Sequence, residues 1–146
     1  MNSNNFLAGL GGALVLTILN ESLKNINHNM PRINLVGEEA VYKAAQFLGY
    51  EIEDEHILTG STLVGDIVSN ATYYSLISGE GKELWAKAVS SGLLAGYGVV
   101  NLPDKIELDD TPVAKNLTTK ALTIGYYLAG ALATATILQF LEKRNL

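Results

Sequence analysis

The chain has 146 residues, enough for one domain, with ten Lys and Arg against 15 Asp and Glu and a net charge of −5. That balance leaves no basic stripe, so nucleic-acid binding has no electrostatic basis. No cysteine occurs, which excludes disulfides and thiolate metal sites. Apolar residues make up 48%, an ordinary fraction, so class rests on distribution: charged residues fall to 17%, below the roughly 25% of an average soluble domain, and they avoid four windows.

The first window is 5–23. Its uninterrupted apolar part, 6–19, is short for a membrane span, so Asn20, Glu21 and Ser22 are drawn to the membrane edge. Gly9, Gly12 and Ala13 put small residues where a neighbouring helix can come close. A signal peptide is disfavoured: no Lys or Arg precedes the apolar run, and no small-x-small site is followed by a secreted-looking domain.

Residues 24–31 hold three Asn and a Pro and read as a loop. An amphipathic helix is expected over 35–48, with Asn34 as its cap and Glu38 and Glu39 in its first turn. Val36, Ala40, Val41, Ala44, Phe47 and Leu48 recur at helical spacing, and Gly49 supplies the stop. This helix is too polar to span and is expected at the membrane interface or on the end of a bundle. Glu51, Glu53, Asp54 and Glu55 read as a solvated acidic loop.

The second window, 57–77, is too polar for an ordinary span. Thr62, Asp66, Ser69, Asn70 and Tyr73 fall on one helical face, with Leu63, Ile67, Ala71 and Tyr74 turned away. A carboxylate at bilayer depth costs a few kcal/mol, so three readings of Asp66 stand: a functional site, a hydrogen-bond hub, or a position near water. Glu21 is either a helix end meeting water or a neighbour of that face; its expected depth differs from that of Asp66, so no direct pair is expected.

The third window is 84–102, with Trp85 and Lys87 near its start as for an aromatic belt and a snorkelling cation. Gly92 and Gly96 form a GxxxG pair beside Ser91 and Ala95, and Pro103 is expected to end the helix. Residues 104–120 form a polar connection. The fourth window, 121–141, has no charged side chain, and a helix of that length rises roughly 30 Å, the thickness of a bilayer core. Gly125, Ala129 and Ala133, with Gly130 beside them, form another small-residue face.

These windows predict an all-α integral membrane protein: a bundle of four transmembrane helices, with one amphipathic interfacial helix between the first and second spans. Both termini then lie on one side. Lys24, Arg32, Lys43, Lys105, Lys115 and Lys120 lean toward cytoplasmic first and third loops, against Lys82, Lys87, Lys143 and Arg144 opposite. The expected location is a bacterial inner (cytoplasmic) membrane.

For chemistry, Arg32 and His28 are candidates for a lipid headgroup, although Arg32 is better expected to pair with Glu38 or Glu39. His28 has no second ligand at motif spacing, so no metal site with His56 is expected, nor any cofactor. No phosphate-cradling loop, GxSxG, HExxH or CxxC occurs, so the reading leans away from an enzyme without deciding the point. The first functional expectation is an accessory, scaffold or lipid-associated subunit, partnered by membrane lipids and by a second copy or another membrane subunit. The alternative is a small transporter or proton-linked protein with Asp66 and Asn70 lining a path and Glu21 at its mouth. A headgroup-directed interfacial enzyme using His28, Arg32 and Glu21 ranks third. A soluble bundle that buries 121–141 ranks fourth.

Overall fold

The structure is a computed structural model that describes residues 2–144; Met1, Asn145 and Leu146 lie outside them. Those residues form six helices and no strand. They are α1 (Ser3–Leu23), α2 (Ile33–Phe47), α3 (Glu55–Tyr74), α4 (Gly81–Lys105), α5 (Thr111–Ala114) and α6 (Leu117–Arg144).

Local chemistry sets several ends. The Asn2 side chain accepts the Asn5 amide at 2.9 Å and caps α1, and Asp54 caps α3 through the His56 amide at 2.8 Å. Gly49, at φ 90°, turns the chain after α2, a conformation that suits glycine. Two expected ends differ. Asn34 does not cap α2 but lies inside it; the cap position is Arg32, which makes no side-chain cap bond. Pro103 does not end α4 but sits in its last turn. The connection after α4 also holds the short helix α5, with Pro112 in its first turn, where a missing N–H costs nothing.

The long helices pack in the spatial order α3, α1, α6, α4. Neighbours run antiparallel: Gly9 of α1 lies against Ala71 and Ser75 of α3, and Gly12 against Gly130 and Thr134 of α6. Gly92 and Gly96 of α4 lie against Leu128 and Ile124 of α6. Close approach is the reason for glycine here. A β-carbon at Gly96 would meet the Ile124 Cα at 2.6 Å, and one at Gly92 the Leu128 Cα at 2.7 Å. The expected face on α6 is displaced. Gly125 is exposed, with nothing within 4 Å of its missing β-carbon, and Ala129 is half-buried. Gly130 makes the close approach, under the Tyr74 phenol, which donates to the Tyr127 carbonyl at 2.8 Å.

α1 and α6 are long and apolar enough to cross a membrane. α3 and α4 have 20 and 25 residues, also a spanning length, but are more polar. Large apolar side chains are exposed on all four, among them Leu7, Ile18, Val64, Val68, Leu94 and Phe140. α2 buries none of its side chains, and Phe47 and Leu48 at its end are 91% and 71% exposed.

Candidate functional site

α1 and α3 cross antiparallel, which brings the end of one beside the middle of the other. A cavity of about 60 Å³ lies between them, closed on a third side by the first turns of α2. Thr62, Asp66 and Asn70 line it from α3, Asn20 and Glu21 from α1, and Asn34 and Glu38 from α2. Leu16, Asn20 and Thr62 are buried; Glu21, Thr59 and Leu63 are exposed at the mouth.

Asn20 is the fixed point of this wall. Its Oδ1 accepts the Ile33 amide at 2.9 Å, and its Nδ2 donates to Asn34 Oδ1 at 3.0 Å. The amide thus satisfies the first turn of α2 from another helix, the task that sequence assigned to Asn34. Gly37 then lets α2 settle onto α3: a β-carbon there would meet Thr62 Cγ2 at 2.8 Å and both Asp66 carboxylate oxygens at 3.2 Å.

The polar groups differ in how far they are satisfied. Glu21 pairs with Lys24 at 2.7 Å, and Glu38 accepts the Thr59 hydroxyl at 3.2 Å. Asp66 makes no ion pair among the described residues, while Glu21 and Glu38 stand near enough to add to the negative potential around it. Thr62 is 2% exposed, and its Oγ1 has no hydrogen-bond partner among the described residues. Leaving a buried hydroxyl unsatisfied costs about 1–3 kcal/mol, so the atom calls for an explanation.

Of the polar face read from sequence, Thr62, Asp66 and Asn70 share the cavity with Glu21. Ser69 is exposed and donates its hydroxyl back to the Gly65 carbonyl. Tyr73 reaches α4 instead, donating to the Ser91 carbonyl at 2.7 Å. The site residue that sequence reading passed over is Asn20. As the last residue before Glu21 it looked like a helix end meeting water; its burial depends on α2 folding back.

Asn70 and Tyr73 also border a second feature. α3 and α4 make little direct contact, and an open apolar groove of about 580 Å³ lies between them, floored by Tyr127 and bounded by Val36, Leu94 and Leu102.

The headgroup candidates stand apart. His28 and Arg32 are exposed on the first loop. Arg32 does not pair with Glu38 or Glu39: its Nη2 donates to Asn25 Oδ1 at 3.2 Å and its amide to the Pro112 carbonyl at 2.9 Å, while Glu39 pairs with Lys43 at 3.2 Å. That amide bond fixes the loop through the backbone. Among the described residues no three His, Asp or Glu side chains gather as a metal-binding group.

Comparison of the chain with protein-family models, with curated proteins and with solved structures finds no match.

Proposed function

We propose that the chain is a four-span membrane protein whose working part is the polar cavity at Asp66, in a transport- or proton-linked role. The observation that carries this reading is the convergence of Asp66, an unsatisfied Thr62 hydroxyl and Glu21 on one cavity that opens at its rim. A structural hub would instead have bonded Asp66 to its neighbours. Ionisable groups within a span are rare and costly, and they mark ion and proton paths. The four-span reading is supported by exposed apolar side chains on α1, α3, α4 and α6 together. α2 then lies at the interface on the side of the first and third loops, with Phe47 and Leu48 in the lipid.

The test is flux. Proteoliposomes holding the full chain and a pH-sensitive dye are given a membrane potential, alongside liposomes without protein and liposomes with Asp66→Asn. Wild type should collapse a proton or alkali-cation gradient faster than both controls; equal rates in all three reject the reading.

A second reading, the accessory or scaffold subunit, draws on another observation. Ser61, Gly65 and Ser69 follow each other at four-residue spacing on the exposed side of α3, and among the described residues nothing from another element lies within 4 Å of where a Gly65 β-carbon would sit. In a bilayer such a ridge suits a second helix. Crosslinking in native membranes should give a dimer, or a larger complex, that Gly65→Leu removes. An unchanged ladder rejects this reading.

A further inference from the structure

We infer that the cavity between α1, α2 and α3 binds one monovalent metal cation of about sodium's size, held by the Thr62 hydroxyl and the Asp66 carboxylate, with Asn70, two turns beyond Thr62 on α3, reaching it only through the ion's water. The inference rests on the cavity reading above and names its ligand.

The first observation is the orphaned hydroxyl. Thr62 Oγ1 is buried at the cavity and has no hydrogen-bond partner among the described residues. A hydroxyl oxygen carries two lone pairs, and a hard cation, or a water on that cation, uses one of them. The second is charge. Asp66 follows Thr62 by one turn on the same face, and no Lys or Arg lines the cavity. The nearby cation, Lys24, is spent on Glu21 at the rim. The inner carboxylate therefore has no countercharge among the described residues.

Ligand chemistry narrows the class. Every polar side chain that lines the cavity is a hydroxyl, a carboxylate or an amide, and no histidine lines it. Oxygen donors suit hard cations. The charge count favours a single positive charge. Of the three carboxylates that line the cavity, Glu21 is paired with Lys24, Glu38 stands at the rim with the Thr59 hydroxyl, and Asp66 lies inside, and among the described residues no three His, Asp or Glu side chains gather as a divalent site would use. Asn20 is not a ligand, because its amide is committed to Ile33 and Asn34; it holds the wall. Size agrees as well. A volume of about 60 Å³ admits roughly four to six water-sized particles, enough for a small ion and part of its hydration.

The test is equilibrium binding by the purified full chain in detergent. Thermal unfolding is followed in sodium chloride and in choline chloride at equal ionic strength. A ligand that binds only the folded state raises Tm saturably with its concentration. Sodium should raise Tm in this way, choline should not, Thr62→Val and Asp66→Asn should lose the shift, and Thr62→Ser should keep it. If Asp66→Asn does not fold, the Val and Ser variants at position 62 carry the test. Equal Tm in sodium and choline overturns the inference, as does a sodium shift that survives Thr62→Val. The two readings fail separately. A saturable sodium shift without flux keeps the site and rejects transport, whereas proton flux without a sodium shift keeps the working cavity and rejects the cation.

Discussion

Asn20 of α1 accepts the backbone amide of Ile33 at 2.9 Å, so the first helix caps the second from the side. The same amide group donates to Asn34, and the pair fixes the roof of the Asp66 cavity. Asn20→Ala removes both bonds and leaves the Ile33 amide half-buried without a partner. The expected loss is about 1–3 kcal/mol, with faster amide exchange over the first turn of α2 than over α3. Hydrogen exchange by mass spectrometry, with thermal unfolding beside it, checks this. Unchanged exchange at residues 33–36 would show that α2 is held by other contacts.

The glycines divide into two groups. A β-carbon at Gly9 would meet the Ala71 carbonyl oxygen at 2.5 Å and the Ser75 amide nitrogen at 2.7 Å, and backbone cannot rotate away. Gly9→Ala and Gly92→Ala are therefore expected to destabilise by about 1–3 kcal/mol. Gly65→Ala and Gly125→Ala meet open space and gain helix propensity of up to about 1 kcal/mol in the isolated chain. Thermal unfolding of the four variants in detergent gives the comparison. A Gly125→Ala loss as large as that of Gly9→Ala would contradict the packing described.

Tyr73 joins α3 to α4 through the Ser91 carbonyl, across the pair of helices that otherwise barely touch. Tyr73→Phe keeps the ring and removes that bond, at an expected cost of about 0.5–1.5 kcal/mol. Paired spin labels on α3 and α4, placed at the groove, should show a broader distance distribution in the variant. An identical distribution would mean that the short turn between the two helices alone sets their angle.

Asp109 predicts a pH effect outside the long helices. Its side chain accepts the Thr111 amide at 2.9 Å, and hydrogen bonds from Thr111 hold its carboxyl below the ordinary aspartate value. A lowered folded value means that the contribution is present above the unfolded value and is lost as pH falls through the folded one. The α5 turn should thus loosen at acid pH, below the ordinary aspartate range, and stay unchanged between pH 5 and 8. Exchange at residues 111–114, corrected for intrinsic rates, should show the change in wild type and not in Asp109→Asn. Equal acid response in both would assign it to another group.

Helices were largely legible in the sequence because their signal is local. Four charge-poor apolar windows and the helical spacing over 35–48 lie within a few residues of the five long helices, and Thr62, Asp66 and Asn70 fall on one side because spacings of four and eight return to one face. Glu21 was legible only as one of two options. What the pattern does not encode is which face meets which neighbour. Ser69 shares the arc of Asp66 but lies at its edge, and it turns outward. Tyr73 lies on the same arc, one turn beyond Asn70, where it reaches the Ser91 carbonyl of α4. Gly125 and Gly130 both belong to small-residue patterns, and only the position of Tyr74 decides between them. Asn20 required knowing that α2 folds back, a tertiary fact with no local trace. The short helix α5 was hidden because four residues carry no periodicity.

The central claim is a polar cavity, open to water, inside a span that otherwise faces lipid. The chain has no cysteine, so single-cysteine variants report one position each. Asp66→Cys, Val64→Cys and Val68→Cys would be reacted in intact membranes with a small, water-soluble, cationic thiol reagent. Val64 and Val68 flank Asp66 and are exposed on the outer face of α3. The account predicts rapid modification at position 66 and little at 64 and 68, because only the cavity joins water. Modification at 64 and 68 as fast as at 66 would place α3 in water and contradict the membrane reading. No modification at 66, with a cysteine there shown reactive after detergent unfolding, would contradict the open cavity.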